Sequence, residues 1–388
     1  SIMALKNNTW KLNQWYDQSV AGNVEYSGFN ELFTWGSNYK GSLGVGDEVF
    51  RSSPVQVPGG LWNYLSASRG GNSYGTRTDG TLWVWGYNSN GELGLNNRTS
   101  YSSPKQVSGT TWEKISSYGE STNSASAIKT DGTLWSWGRT WYGVLGLNQS
   151  NPSLLYSSPV QVGTDTTWNT ITNSTTTFAT KTDGTLWAWG RNTHGQLLQN
   201  DNVHRSSPVQ VGSDTNWGPV NMGTWQCMSI KTDGTLWSWG AGSQGNLGQN
   251  SPNTSALSSP VQVGNENTWS DISCGQYNSH GVKTDGTLWS WGYNNEGQLG
   301  LNDKTTRSSP TQVGSDTTWK HVETAKMTSH ATKIDGTLWA WGGRDEGALG
   351  LGEYDKVSSP IQVGSNTGWD VQKSHNTDNQ YVMYKFIK

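Results

Sequence analysis

Apolar residues in this chain alternate with polar ones over short runs, and the same runs return about every 50 residues. Residues 269–314 show one period. Trp269-Ser270-Asp271-Ile272-Ser273 alternates, and Cys274-Gly275-Gln276-Tyr277 reads as a turn. Ser279–Lys283 makes a second short run. Thr284-Asp285-Gly286-Thr287 carries Asp-Gly, a strong signal for a tight hairpin. Leu288-Trp289-Ser290-Trp291-Gly292 returns, with its two indoles on one face and Leu288 and Ser290 on the other. A glycine-punctuated loop ending in Leu299-Gly300 leads to Ser308-Ser309-Pro310-Thr311-Gln312-Val313, a last extended piece. The pattern predicts three or four short strands per period and no helix.

The period recurs seven times, with cores closing on Trp35, Trp85, Trp137, Trp189, Trp239, Trp291 and Trp341. A Ser-Ser-Pro follows each, at Pro54, Pro104, Pro159, Pro208, Pro260, Pro310 and Pro360. Four-stranded units at this spacing predict an all-β, seven-bladed β-propeller. The first core, Leu32-Phe33-Thr34-Trp35-Gly36, lacks the preceding hairpin. The last run, Tyr381-Val382-Met383-Tyr384-Lys385, lacks a following one. Ring closure is therefore expected between these ends, through Leu32, Phe33, Trp35, Tyr381, Val382 and Tyr384, which protects both sheet edges.

Of 24 tryptophans, 21 fall at three repeat offsets, so the indoles read as scaffold rather than as a sugar-stacking platform. The aspartates of the Asp-Gly turns, with Lys or Arg two residues before, read as hairpin tips that solvate one face and pair locally. What stands outside the repeat is short. Residues 1–27 form an N-terminal arm, distinct from a propeller over 28–388, with Trp10, Leu12, Trp15 and Tyr16 as candidate docking anchors. The arm either docks on another protein, a second copy included, or folds back over the propeller. An enlarged loop brings Trp141, Tyr142, Leu154, Leu155 and Tyr156 forward as a candidate surface interface, or as a loop with its own small core.

Charge adds exclusions. The 388 residues carry a net charge of −3 and only 14% are charged, with no basic run, so a nucleic-acid partner is not expected. No run of 18 apolar residues offers a membrane span, and no signal peptide is visible. Cys227 and Cys274 sit at different repeat offsets, which suggests buried thiols rather than a staple. Ser279-His280 and Ser329-His330 alternate faces along one strand and do not form a nucleophile and base. No Walker loop, dinucleotide fingerprint or metal-ligand spacing appears. Catalytic, cofactor and metal residues are all expected to be none, and the chain is not expected to be an enzyme.

Trp85-Gly86-Tyr87-Asn88-Ser89-Asn90-Gly91-Glu92-Leu93-Gly94, its copy at 291–300, the following Ser-Ser-Pro-x-Gln-Val and Ile272-Ser273-Cys274-Gly275 together resemble a known repeat. It is that of the regulator-of-chromosome-condensation family of seven-bladed propellers. Members of that family exchange nucleotide on a small GTPase through an inserted β-wedge, or bind nucleosomes through basic arms. Neither device is visible here. The Thr-Asp-Gly-Thr-Leu-Trp-Ser-Trp-Gly form and the leader over 9–23 are similar to the variant in bacteriophage structural proteins. That resemblance implies a structural or adhesive virion component, in a tail, fibre or capsid surface. Its partners would be other virion proteins or a second copy, and a host receptor or glycan at its displayed face. The alternative is a cytoplasmic binding module that engages a small GTPase or another protein.

Overall fold

The computed structural model describes residues 29–68, 70–118, 123–252, 256–343, 347–352, 356–370 and 380–387. Residues 1–28, with the arm anchors Trp10, Leu12, Trp15 and Tyr16, lie outside them. The chain is built of short antiparallel strands, with two three-residue 3₁₀ turns, Tyr39–Gly41 and Trp141–Gly143. Six blades each use four consecutive strands: 62–107, 112–161, 168–211, 217–262, 269–312 and 319–362. They are called blades 1 to 6 below. In each, the strands lie in chain order across the sheet. First strands of successive blades pack on one another around the axis, so the Ser-Ser-Pro strand is outermost.

The expectation of seven blades is corrected by the sheet inventory. Six blades are complete and sequential; the remaining sheet is smaller and is assembled from both ends of the described chain. Its order is Arg51–Gln56, Phe29–Gly36, Gln380–Ile387, then a first strand described over Trp369–Asp370. Counting Trp-Gly cores counts third strands; it says nothing of whether a full set of strands stands around each. Phe29–Gly36 runs antiparallel to Gln380–Ile387, with Leu32 opposite Tyr384, Phe33 opposite Met383, Thr34 opposite Val382 and Trp35 opposite Tyr381.

Between blades the core is indole. Trp35, Trp85, Trp137, Trp189, Trp239, Trp291 and Trp341 are all fully buried. Each meets a first-strand indole or ring edge-on, as Trp269 meets Trp291 at 5.8 Å. Edge-to-face geometry suits the ring quadrupole and adds about 1 kcal/mol per pair beyond burial. Each buried N–H needs an acceptor. Trp291 donates to the Asn246 carbonyl of the preceding blade at 3.0 Å, Trp341 to Gln298 at 2.9 Å and Trp137 to Glu92 at 2.7 Å. One strand's tryptophan thus locks onto the neighbouring blade's loop.

A second stitch runs round the axis. The Ser66 hydroxyl accepts from the Ser117 N–H, Ser116 from Asn173, and Ser273 from Thr324. The Asn221 side-chain carbonyl accepts from the Cys274 N–H at 2.8 Å. These buried polar side chains are spent on blade-to-blade contacts and add polar stitches to the Leu, Val and Ile that pack with the indoles.

Candidate interaction face

Because strands alternate in direction, the molecule has two unlike faces. One carries the Asp-Gly hairpins and the links between blades. The other carries the turns between first and second strands and the long loops between third and outer strands.

The hairpin face is built by repetition. In each turn the aspartate takes two bonds from the threonine two residues on; Asp285 Oδ1 accepts from the Thr287 N–H at 3.0 Å and its hydroxyl at 2.7 Å. The Trp289 indole donates to that hydroxyl at 2.8 Å. These bonds hold the Asp285 carboxyl below its usual range, the Thr287 hydroxyl contributing most. Asp-Gly-Thr-x-Trp is therefore a structural relay.

The cations beside these turns do not solvate the face. Lys283 lies between two indoles, its Nζ 3.8 Å from the Trp289 ring centroid and 5.0 Å from that of Trp269. It pairs with Glu266 of the inter-blade link. Lys181 and Asp165 at 2.5 Å, Lys231 and Asp214 at 2.7 Å, and Lys333 and Asp316 at 2.5 Å repeat the arrangement. Replacing Lys283 by methionine keeps the stem and removes the charge, so a loss of about 1 kcal/mol is expected from the two ring contacts. The urea midpoint reports it, and an unchanged midpoint would reduce the cation to a spacer.

Cavities hold little chemistry. About 190 Å³ opens on the axis among Tyr64, Ser66, Lys114, Thr170, Thr172 and Asn221, hydroxyl-rich and already engaged in the stitch. About 940 Å³ lies between blade 6 and the closing sheet, where Phe33 stands in the slot of a tryptophan. No group of three metal-ligating side chains occurs among the described residues. The structure does bring Ser329 within 3.5 Å of His280 Nε2, across a blade boundary. Both are fully buried, and burial depresses His280 to about 3, so the pair is sealed from substrate and the ring is too weak a base. Cys227 and Cys274 are both buried, and burial pushes the Cys227 thiol well above its usual range, so it stays protonated.

The loop face departs from the repeat. The residue after Trp-Gly is Ser37, Tyr87, Ala241, Tyr293 or Gly343 elsewhere, but Arg139 and Arg191 in blades 2 and 3. Arg139 lies over the Trp141 ring at 3.9 Å. Trp141 and Tyr142 are tilted neighbours at 5.9 Å, in a 3₁₀ turn that holds Tyr142 at φ 56°. Tyr142 meets His204 edge-on at 5.0 Å and has the Arg191 guanidinium 5.2 Å from its centroid. Arg191 reaches on to Trp225 at 5.1 Å, and Trp225 meets His194 at 5.7 Å, edge-on. The result is one continuous run of rings and guanidinium planes across three blades.

Local chemistry builds this arc. Neighbouring loops are clasped by an asparagine; Asn192 donates to the Asp201 carbonyl at 2.8 Å and the Val203 carbonyl at 3.1 Å. Blade 2 has Thr140 at that place, whose hydroxyl bonds the Asn151 and Leu154 carbonyls of a longer loop. His204 Nδ1 accepts from the Asn192 N–H at 2.9 Å, and burial, then the Arg191 charge, lowers its proton affinity. His204 is thus neutral at neutral pH, and the arc's charge comes from its arginines.

The sequence-derived loop candidates separate here. Trp141 and Tyr142 join the arc. Tyr156 turns inward against the cluster around Trp137, and Leu155 pairs along the strand with Arg139. Leu154 is half-buried and contributes its carbonyl to Thr140. Arg139, Arg191, His194, His204 and Trp225 were not singled out as site residues. The available signal was arginine in a repeat slot otherwise filled by small residues or tyrosine.

Comparison with solved structures agrees on the architecture. Human WBSCR16 superposes with TM-score 0.79 at 17% identity, over 92% of this chain and 98% of that one. Prp20p from Saccharomyces cerevisiae gives 0.77 at 19%, over 93% and 92%. Yeast RCC1 (Prp20) in a structure with Kap60 gives 0.76 at 17%, over 100% and 96%. At these identities the likeness is one of fold. The regulator of chromosome condensation (RCC1) repeat matches residues 30–68, 79–117, 183–229, 233–280 and 285–330, and a second form of it 269–298. Those segments make up more than half of the chain, which therefore belongs to the RCC1 repeat family.

Proposed function

We propose that this chain is a protein-binding propeller rather than an enzyme, and that the loop face of blades 2 to 4 is its contact surface. One observation carries this reading. Trp141, Tyr142 and Trp225 stand half-buried on that face with Arg139 and Arg191 set over them, outside the scaffold slots that account for most other indoles. Tryptophan, tyrosine and arginine are the residue types that dominate protein interfaces, because rigid rings and preordered guanidinium forks lose little entropy on binding.

Prp20p was described with its binding to Gsp1p and histones. Carried to this chain, that supports a small GTPase or another protein as partner. The virion reading rests on the Thr-Asp-Gly-Thr-Leu-Trp-Ser-Trp-Gly form of the repeat and on the leader, which lies outside the described residues, and the relatives named above are eukaryotic propellers; it stands second. No helix among the described residues is long and apolar enough to cross a membrane.

The test is recovery of partners from extracts of the source cells by the full chain and by a Trp141→Ala/Trp225→Ala variant. Loss of an interface anchor costs about 2 kcal/mol, roughly thirtyfold in affinity. Proteins held by the parent should fall away from a variant whose unfolding midpoint is unchanged. An identical set of bound proteins would refute the assignment of this face.

A further inference from the structure

We infer that the arc on the loop face recognises an acidic, apolar-flanked segment of a partner protein, its carboxylates taken by Arg139 and Arg191; this rests on the protein-binding reading above.

Both guanidinium groups are held but not neutralised. Arg139 uses its Nε on the Pro152 carbonyl at 3.3 Å, and Arg191 its Nε on the Thr193 hydroxyl at 3.1 Å. No carboxylate pairs with either among the described residues. Arg51, Arg205 and Arg307 on this face differ. Each closes on an aspartate four residues before, at 2.6, 2.5 and 2.6 Å. Arg139 instead sits over the Trp141 ring and Arg191 between Tyr142 and Trp225, which places each fork against rings while leaving its terminal N–H groups open. That is the preorganised state for a bidentate bond to an oxyanion.

The surroundings are unipolar. Asp131, Asp183, Asp233 and Asp285 belong to hairpins of the opposite face, as Asp165, Asp214 and Glu266 belong to its links. Asp271 is buried in a first strand. In the loops of blades 2 to 4 the acid among the described residues is Asp201, already occupied by Arg205 and Asn192. Elsewhere on this face Asp47 and Asp303 are closed by Arg51 and Arg307, and Glu296 pairs with Lys356. An anion is therefore drawn to the two open forks of this sector.

A polynucleotide satisfies the arginines less well. Its binding draws on many phosphate contacts, whereas this sector offers two open forks on a chain of net charge −3. Two forks separated by Trp141 and Tyr142, with Trp225 beyond the second, match spaced carboxylates with apolar side chains beside them.

The probe is an array of short peptides in a fixed Leu/Tyr/Gln background that differ in how many Gln are replaced by Glu, with oligo-dT as a second ligand. Binding of the full chain should rise with Glu count and weaken as salt is added. Arg139→Gln and Arg191→Gln should each cost about tenfold. Lys105→Gln, on an outer strand of blade 1, serves as the charge-matched control and should leave binding unchanged. Equal binding of the Glu and Gln peptides overturns the proposal. So does oligo-dT binding that exceeds that of every peptide, or arginine variants that bind like the control. If Trp141→Ala weakens all peptides equally while the arginine variants do not, the protein-binding reading survives and acid recognition fails. If partner recovery is also insensitive to Trp141→Ala/Trp225→Ala, both fail.

Discussion

Replacing Gly300 by alanine is expected to destabilise the propeller by about 3 kcal/mol, from a left-handed backbone and a crowded indole. Gly300 sits at φ 73°, and a Cβ there would lie 2.9 Å from Trp341 Nε1. That nitrogen donates to the Gln298 carbonyl two residues earlier. The methyl group therefore pushes on an indole whose N–H has no other outlet. The chain contains the comparison already. Leu198 occupies the same slot in blade 3, at φ 61°, and Trp239 is the indole it faces. Trp239 Nε1 is buried without a hydrogen-bond partner, whereas Trp85, Trp137, Trp189, Trp291, Trp341 and Trp35 all have one. The Leu198 side chain recovers part of the loss by its own burial in the cluster around Trp217 and Trp239. An alanine at 300 recovers almost nothing. Denaturant unfolding of Gly300→Ala should show the full drop, and Leu198→Gly should lie within about 1 kcal/mol of the parent because regained bond and lost burial offset. A Gly300→Ala midpoint equal to the parent's would mean that the loop shifts freely and that the indole lock is not a constraint.

This pair shows which parts of the fold are legible in the residues alone. A strand, a hairpin and a repeat are local statements, written in alternation, Asp-Gly and a fixed period. The propeller architecture and the scaffold role of the indoles follow from them. The sheet count does not, because a Trp-Gly core marks one strand and not the full set around it, and the sheet that joins the two ends shows only Trp369–Asp370 of its inner strand among the described residues. The lysines were misread for a related reason. Lys283 stands beside Asp285 in sequence and suggests a hairpin tip; its ion-pair partner, Glu266, lies in the preceding link, and the rings that enclose it come from two other strands. The arc on the loop face is legible only in fragments. Arg191 is unremarkable until the fold sets it against Tyr142 from one neighbouring blade and Trp225 from the other. Its signal in the sequence is a departure from the repeat, which marks a place without saying what it touches.

Glu92→Gln is expected to stabilise the protein by about 3 kcal/mol above neutral pH and by little below pH 4. The Glu92 side chain is fully buried in a slot that blades 3 and 5 fill with Gln196 and Gln298. Its Oε2 accepts from the Asn90 N–H at 2.6 Å, as the Gln298 side-chain oxygen accepts from Glu296 at 2.9 Å. Its Oε1 has no partner among the described residues. Burial pushes the carboxyl up to about 7 from the ordinary 4.5, against the pull of its backbone donors and Arg98. A raised carboxyl favours the folded state while it stays protonated. As pH climbs from 4.5 to about 7 the unfolded chain ionises and the folded one does not, so stability falls; above 7 both are ionised and the loss is complete. Glutamine has the shape of the protonated form and removes this term. The parent's own profile will not show it cleanly, since burial lowers His280 and His330 to about 3 and their contribution is lost as pH drops below 6.5. Both variants share those histidines, so the difference between Glu92→Gln and the parent cancels them. That difference should be near zero at pH 4, grow by roughly 1.4 kcal/mol per pH unit through the interval, and level off above 7. A difference that does not change with pH would mean that Glu92 reaches solvent or a cation when ionised, and that its slot is not the dry cavity the geometry describes.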